Sequence, residues 1–462
     1  MPEMDKNAIT SRFFAREPSK VGSFRQSRQL TNNVLLSVFF RGTSAGISLL
    51  IVPLTLKYMS QEKYGIWLTL SSIVGWFSLF DIGFGSGLRN KLSEALARGD
   101  QERARIYVST AYAVLSAIAC VLCVVVVGVV PLCNWASLLN APPELAGELG
   151  LLAIVVFLCF SVRFVTSLIN VVLAADQRIW ITQAIEASGN ALTLVAIFVI
   201  IRATRDSLLT LGVSLSAISA FVPLVASLGF FSFRYRWLRP AIPFVRPQYF
   251  RELASLGGKF FCLQITFVLQ FSVQNILISQ LIGASEVTAY NIAFRYFGLV
   301  IMFYSTAMTP LWSAFTAAYA RGDIAWIKST VRRVVRMWYV VALGGVAMLL
   351  ISPYVYQLWV GDSITVDYSL SLVVLLFVLL NTWNTVFTLF VNGIGKVRLQ
   401  ITFAAVAALM NIPLAYFLVH SFGMGSTGVV LATVVCMAPN AIVTPLQYRR
   451  IVQGKAQGIW NA

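Results

Sequence analysis

The stretch from Tyr64 to Asp100, YGIWLTLSSIVGWFSLFDIGFGSGLRNKLSEALARGD, organises the whole chain. Its apolar first part leads into Asp81, its middle carries three closely spaced glycines, and a basic segment closes on the tetrad ARGD at 97–100. The same tetrad ends another apolar stretch at 320–323. This recurrence predicts one structural unit that is present twice, with the acidic residue Asp81 in the first copy only.

The composition indicates a membrane protein. The chain has 462 residues, of which 58% are hydrophobic and 11% charged, whereas a soluble chain carries about 25% charged residues. A net charge of +17 also suits nucleic-acid binding. In a membrane protein, however, excess Lys and Arg mark the cytoplasmic loops, so we expect no nucleic-acid partner.

The cysteines and the histidine give no indication of a metal or cofactor site. The six cysteines fall mostly in apolar runs, and the CxxC at 120–123 has no second pair. The single histidine, His420, stands far from any of them. Zinc and redox sites need an accessible cluster of ligands, so we expect neither a metal nor a cofactor.

The hydrophobic pattern predicts an all-α polytopic fold with twelve spans, each at or above the roughly 20 residues that a bilayer requires. The predicted spans are 33–57, 64–87, 107–130, 148–174, 179–201, 208–233, 255–282, 287–318, 334–352, 367–394, 399–419 and 425–447.

The distribution of positive charge predicts the orientation. With both termini in the cytoplasm, the loops and tails on that side hold 28 of the 35 Lys and Arg residues, and the opposite loops hold four. Cytoplasmic loops are enriched in Lys and Arg, so both termini are predicted to be cytoplasmic.

The repeats divide the chain into two lobes. Besides the ARGD tetrads, the hinge that contains Arg178 resembles the one that contains Arg398. Each half has six spans, an even number, so each half begins and ends on the cytoplasmic side. This predicts two parallel six-helix lobes around a central cavity. The predicted units are a disordered basic tail at 1–30, a lobe at 31–233, a basic inter-lobe loop at 234–254, a lobe at 255–450 and a short tail at 451–462.

Charged residues within the spans are the strongest candidates for function. Arg41, Arg163 and Arg295 fall inside spans, where a single Arg costs roughly 2.5–3.5 kcal/mol on insertion scales. The acids within spans are Asp81 and Glu186. If Arg163 pairs with Glu186 and Arg41 with Asp81, one positive charge remains, which favours an anionic ligand such as a phosphate. Asp81 and Glu186 are the candidates for ion coupling.

Polar residues at helical spacing extend this predicted cavity. Asn170, Asn291 and Asn384 lie on stripes of Ser, Thr and Asn at steps of three and four, which place each set on one helix face. A bilayer tolerates such faces only against other helices or a wet cavity. We expect these asparagines to contact substrate, although many of the Ser and Thr positions only join helices.

The glycines at positions 83, 85 and 87 follow an apolar span and not a strand of a βαβ unit. A dinucleotide-binding loop requires that strand context, and no Walker motif is present. We therefore predict a hinge or helix break near the cytoplasmic face.

Three features resemble the polysaccharide-exporting flippases of the multidrug/oligosaccharidyl-lipid/polysaccharide exporter superfamily: the two six-span lobes, the segment YGIW through FDIGFGSGLRNKL, and the motif AYNIAFRYF. The resemblance covers about residues 30–450. It implies alternating-access flipping of an undecaprenyl-diphosphate-linked oligosaccharide, such as an O-antigen or exopolysaccharide unit, across the bacterial inner membrane. It also implies contacts with membrane lipids, coupling to a proton or Na⁺, and a polysaccharide polymerase or chain-length regulator as partner.

Two other classes remain open. A multidrug or small-molecule exporter of the same superfamily would share the fold, but a net-positive cavity repels organic cations. A membrane glycosyltransferase or polysaccharide polymerase needs catalytic residues in large external loops. The longest predicted external loops, 131–147 and 353–366, are short and contain no Lys or Arg.

Overall fold

A computed structural model of the chain describes residues 20–77, 84–204, 206–254, 273–308, 311–361 and 364–461. These ranges are helical and contain no strand. The first half forms α1 (Lys20–Tyr58), α2 (Gln61–Trp76), α3 (Phe84–Arg98), α4 (Gln101–Val129), α5 (Trp135–Leu139), α6 (Ala146–Thr166), α7 (Leu168–Ala175), α8 (Ile179–Ala203) and α9 (Leu208–Ser232). The second half forms α10 (Val273–Leu281), α11 (Ala284–Met308), α12 (Leu311–Ala320), α13 (Ile324–Val360), α14 (Tyr368–Gly393), α15 (Arg398–Phe422) and α16 (Gly425–Val452).

The helices confirm a multi-pass membrane protein. In the described ranges, ten spans are long and apolar enough to cross a bilayer. The predicted spans 64–87 and 255–282 are only partly described, and Asp81 lies outside the described residues. Helix α1 begins at Lys20, inside the stretch predicted as a disordered tail, and residues 1–19 are not described.

The two ARGD tetrads adopt the same structure. Gly99 and Gly322 both have φ +72°, a left-handed conformation that glycine adopts without a steric penalty. Each glycine ends one helix, and the following aspartate caps the next helix. The carboxylate of Asp100 accepts a hydrogen bond from the backbone N–H of Arg103 at 2.9 Å, and that of Asp323 accepts from Trp326 at 3.0 Å. The tetrad is a compact turn between two helices.

The second pair of hinges also matches, but in a different register from the predicted one. The backbone N–H of Arg178 donates to the carbonyl of Leu173, five residues earlier, at 2.8 Å. The backbone N–H of Lys396 makes the same bond to Val391 at 3.1 Å. The preceding residues, Gln177 and Gly395, are both left-handed. Arg178 therefore corresponds to Lys396, two residues before Arg398.

The predicted glycine hinge is corrected in part. Gly85 and Gly87 lie inside helix α3, which begins at Phe84, while Gly83 lies outside the described residues. A Cβ at Gly87 would overlap the backbone carbonyl of Leu253. This glycine is therefore needed for close packing against the segment before the second lobe, and not for a turn.

The inter-lobe segment from 234 to 254 packs on the cytoplasmic end of the first lobe. The backbone N–H groups of Ala241 and Arg246 donate to Ser109 Oγ at 3.2 Å and Thr110 Oγ1 at 3.1 Å. At the end of the segment, Lys91 Nζ lies 2.6 Å from a carboxylate oxygen of Glu252. The segment is thus a folded part of the first lobe.

Three apolar clusters show how the lobes meet. One contains residues of both lobes at the outer ends of the helices, for example Leu139, Leu208, Tyr356 and Val429. The cytoplasmic half of each lobe has a separate cluster, around Leu88 and Leu173 in the first lobe and around Phe390 and Val331 in the second. Within the described residues, the lobes therefore share a core on the outer side, and each lobe has its own core on the cytoplasmic side.

Candidate functional site

A cavity of about 340 Å³ lies between the two lobes. Helices α1 and α8 of the first lobe and α11 of the second lobe form its walls. It is lined by Arg41, Ser44, Ala45, Ser48, Leu49, Glu186, Asn190, Phe294, Arg295, Gly298, Leu299 and Met302. We call this the central cavity, and its volume lies within the usual range for ligand sites.

Two of the predicted arginines face the central cavity from opposite lobes. Arg41 Nη1 on α1 donates to Thr306 Oγ1 on α11 at 3.0 Å. Arg295 Nη1 on α11 donates to Ser48 on α1, to Oγ at 3.1 Å and to the carbonyl oxygen at 3.3 Å. Neither arginine forms an ion pair with a described residue. Because a guanidinium has five N–H donors, most donors of both side chains have no partner among the described residues.

Glu186 supplies the acidic group of the central cavity. It lies on α8, one turn before Asn190, whose amide Nδ2 donates to Ser44 Oγ at 2.7 Å. The described lining therefore contains two positive charges and one negative charge. Coulomb attraction in a partly desolvated cavity of net charge +1 favours an anion over a cation.

Arg163 lines a different cavity, contrary to its predicted place beside Arg41. This second cavity, of about 490 Å³, lies within the first lobe between α2, α6 and α9. Its lining includes Trp67, Ser71, Ser216 and Phe160. The anticipated salt bridge between Arg163 and Glu186 is not formed among the described residues. Arg163 lies with residues of α2 and α9, and it interacts with Glu186 electrostatically at a distance beyond that of an ion pair.

The three predicted asparagines do not line the central cavity. Asn291 Nδ2 donates to Asn275 Oδ1 at 2.8 Å, and Asn275 in turn donates to Ser72 Oγ on α2 at 2.6 Å, so Asn291 helps to join the lobes. Asn384 is buried in α14, and neither of its amide atoms has a hydrogen-bond partner among the described residues. Asn170 lies on α7 with its Oδ1 buried and likewise unpartnered within the described ranges.

The sequence pattern missed Phe294 and Thr306. The sequence analysis selected Asn291 and Arg295 on α11 but not Thr306, which accepts the hydrogen bond from Arg41. Steps of four, three and four from Arg295 lead through 299 and 302 to Thr306, so the same helical spacing would have found this residue.

The outer side between the lobes is closed by the short helix α5 against α10. Ser279 Oγ donates to the carbonyl of Leu139 at 2.8 Å, and Asn140 Nδ2 donates to the carbonyl of Ser279 at 2.9 Å. Gln280 Nε2 donates to the carbonyl of Ser137 at 3.1 Å. Two of these bonds satisfy carbonyl groups at the end of α5, and the third satisfies a carbonyl group in the last turn of α10.

Helices α2 and α11 pack closely against each other across the two lobes. A Cβ built on Gly65 of α2 would lie 1.7 Å from the carbonyl oxygen of Ala284 at the start of α11. Gln61 Nε2 donates to the carbonyl of Ser285 at 3.0 Å, and Thr288 Oγ1 donates to the carbonyl of Gln61 at 2.7 Å. The absence of a side chain at Gly65 therefore permits this closed outer contact.

Comparisons with known proteins give two family matches and one group of named relatives. The family model described as polysaccharide biosynthesis protein matches residues 30–316, and the model described as MatE matches residues 261–417. A putative O-antigen transporter of Salmonella typhi is 24% identical over 392 residues, which cover 82% of this chain and 87% of the relative.

Solved structures share the fold. The chain matches an inward-facing multidrug resistance MATE family transporter of the MOP superfamily with a TM-score of 0.74 at 16% identity, covering 91% of this chain and 98% of the other. An outward-facing structure with the same description gives a TM-score of 0.67 at 16% identity, with 92% and 96% covered.

Proposed function

Because the chain belongs to the polysaccharide biosynthesis protein family, we propose that it translocates an undecaprenyl-diphosphate-linked oligosaccharide across the bacterial inner membrane. The cargo would be an O-antigen or exopolysaccharide repeat unit. One observation carries the proposal: Arg41 and Arg295 reach from opposite lobes into one cavity of net positive charge. Arginine binds diphosphate oxygens in a bidentate manner, which a point charge cannot do.

The proposed cycle begins with the lobes joined on the outer side, as the structure has them. The diphosphate enters from the cytoplasmic leaflet and takes over donors of Arg41 and Arg295. Since one arginine belongs to each lobe, an anion that contacts both stabilises states in which the two helices stay close. The polyprenyl chain remains in lipid at the seam between the lobes, and Arg163 in the second cavity offers a further cation to the cargo.

We assign the coupling role first to Glu186. A carboxylate that shares a cavity with two arginines changes the net charge of that cavity when it takes up a proton or Na⁺, and so changes its affinity for an anion. Glu186→Gln is expected to abolish gradient-driven transport and to strengthen diphosphate binding, because it raises the net charge of the lining from +1 to +2. Asp81→Asn tests the second candidate in the same assay, and full transport by both variants would remove the coupling role from both.

The decisive experiment concerns the two arginines. In a strain that lacks the gene, Arg41→Ala combined with Arg295→Ala should fail to restore surface polysaccharide, and lipid-linked oligosaccharide should accumulate on the cytoplasmic side. Arg449→Ala, which removes an exposed arginine at the cytoplasmic end of α16, serves as the control and should restore transport. Normal surface polysaccharide with the double variant, at wild-type protein levels, would refute the anion cavity.

Drug export is the second candidate, because the MatE family model covers residues 261–417 and the fold is that of MATE transporters. The net positive charge of the central cavity opposes organic cations, so we expect no gain of resistance when the chain is expressed in a drug-sensitive strain. The relative from Salmonella typhi is named as a transporter, which supports transport over a glycosyltransferase or polymerase activity. A polysaccharide polymerase or chain-length regulator fits as a partner that takes up the translocated unit.

A further inference from the structure

Helix α13 extends well beyond the membrane on the cytoplasmic side. Its 37 residues span about 55 Å at 1.5 Å per residue, whereas the hydrocarbon core is about 30 Å thick. In the first turns, Ile327, Val331 and Val334 are buried against the cytoplasmic core of the second lobe. The opposite face carries exposed Lys328, Arg332, Arg333 and Arg336, which we call the α13 basic face.

The α13 basic face is continuous with the lipid-facing side of the same helix. From Arg336 the stripe proceeds in steps of three and four to Tyr339 and Leu343, which are 61% and 72% exposed. Arg336 lies seven residues from Leu343, a rise of about 10 Å. Arg336 therefore lies close to the lipid-facing stripe, and the other cations continue the same exposed side over about 12 Å of helix towards its N-terminus.

The equivalent face of the first lobe is already occupied. Aligning the two ARGD turns places Lys328, Arg332 and Arg333 at the positions of Arg105, Ser109 and Thr110 on α4. There the inter-lobe segment binds: Arg105 Nε donates to the carbonyl of Arg239 at 3.2 Å, and Ser109 and Thr110 accept backbone N–H groups. In the second lobe, the described residues leave the corresponding face uncovered, and cations take the place of the small polar residues.

The charge of the α13 basic face is not neutralised by the second lobe. From residue 255 to the end, Asp323 is the only acid in a predicted cytoplasmic segment, and its carboxylate caps α13. None of the four cations forms an ion pair with a described residue. By contrast, Lys91, Arg98 and Arg178 of the first lobe are all paired.

We propose that the α13 basic face binds the phosphate groups of anionic phospholipids in the cytoplasmic leaflet. The argument rests on three features together: four unpaired cations, their continuity with a lipid-contacting stripe, and the absence of the protein segment that covers the same face in the first lobe. If these cations only fixed the orientation of the helix in the membrane, the protein would bind anionic and neutral phospholipids equally well.

The test uses the full-length purified protein and two probes, phosphatidylglycerol and phosphatidylcholine with the same acyl chains. Each Lys or Arg near an anionic surface contributes about fivefold in affinity, so the triple variant Lys328→Gln, Arg332→Gln, Arg336→Gln should bind phosphatidylglycerol on the order of 100-fold more weakly. Retention of phosphatidylcholine should not change. High salt should reduce the wild-type preference, and Arg332→Lys with Arg336→Lys should keep most of it.

The matched control removes three cations from the inter-lobe segment, Arg234→Gln, Arg236→Gln and Arg239→Gln, and should retain phosphatidylglycerol almost as well as the wild type. The proposal is overturned if the α13 triple variant loses no more phosphatidylglycerol than this control. It is also overturned if undecaprenyl diphosphate displaces phosphatidylglycerol from the face at equal concentration, because the face would then belong to the cargo.

Discussion

A single methyl group at Gly65 should loosen the outer contact between the lobes. The Cβ of Gly65→Ala would lie 1.7 Å from the carbonyl oxygen of Ala284, whereas Cβ atoms essentially never approach another heavy atom below 3.0 Å. Helices α2 and α11 must therefore move apart by at least about 1.3 Å at this point. That separation also weakens the two hydrogen bonds that join Gln61 to α11.

The expected effect is a change in the population of conformations. Overpacking of this kind costs about 1–3 kcal/mol, and the strain acts on the state in which α2 and α11 touch. A transporter that can separate its lobes on the outer side relieves the strain by doing so. The ratio of outward-open to inward-open molecules should rise by about 5- to 150-fold.

Distance measurements between spin labels at Leu132 and Leu358 provide the assay. Both side chains are exposed, at 83% and 78%; Leu132 lies just after the outer end of α4, and Leu358 lies near the outer end of α13 in the opposite lobe. In a background without native cysteines, Gly65→Ala should add a longer distance to the distribution. The control is Gly75→Ala on the same helix, where a Cβ meets no atom within 4 Å. Identical distributions for the two variants would refute the reasoning.

Three further predictions concern stability, measured as Tm of the purified protein. Glu252→Gln should lower Tm by removing a pair worth about 1 kcal/mol. Lys91 holds the pKa of Glu252 below its ordinary value of 4.5, so the loss of Tm should be present at pH 7 and shrink as the pH falls through that lowered pKa. A deficit that does not shrink as the pH is lowered would contradict this prediction. Asp100→Ala and Asp323→Ala should each lower the free energy of unfolding by about 1 kcal/mol, because each removes a helix cap. Asn at either position should retain most of that stability. Unequal losses at the two positions would argue against equivalent turns. Asn384→Leu should raise Tm because it removes an unpartnered buried amide; a lower Tm would mean that the amide is satisfied in solution.

The features that depend on local sequence were predictable. Apolar length and charge distribution predicted the spans and the cytoplasmic termini, and the ARGD recurrence predicted two equivalent turns, because a left-handed glycine and a capping aspartate act within a few residues. The helical spacing of polar residues within the apolar spans likewise predicted that Arg41 and Glu186 lie on faces that contact water or other helices.

The composition of the site was less predictable, because helical spacing gives the face of a residue but not the helix opposite it. Arg163 and Arg295 look alike in the sequence, yet one faces a cavity within a lobe and the other a cavity between lobes. Gly87 was misassigned for the same reason: its partner, Leu253, is distant in the chain. Such contacts depend on tertiary packing that no local pattern encodes.

The division of the apolar interior into one shared and two separate clusters sets different demands on different parts of the sequence. The cytoplasmic clusters each stay within one lobe, so they can be as tightly packed as any soluble core. In the proposed cycle, the shared outer cluster must come apart and re-form whenever the lobes open on the other side. The free energy of packing in this cluster is thus constrained as well as its shape. Packing that is too favourable would trap the protein with its outer side closed. Substitutions there should alter turnover before they alter folding.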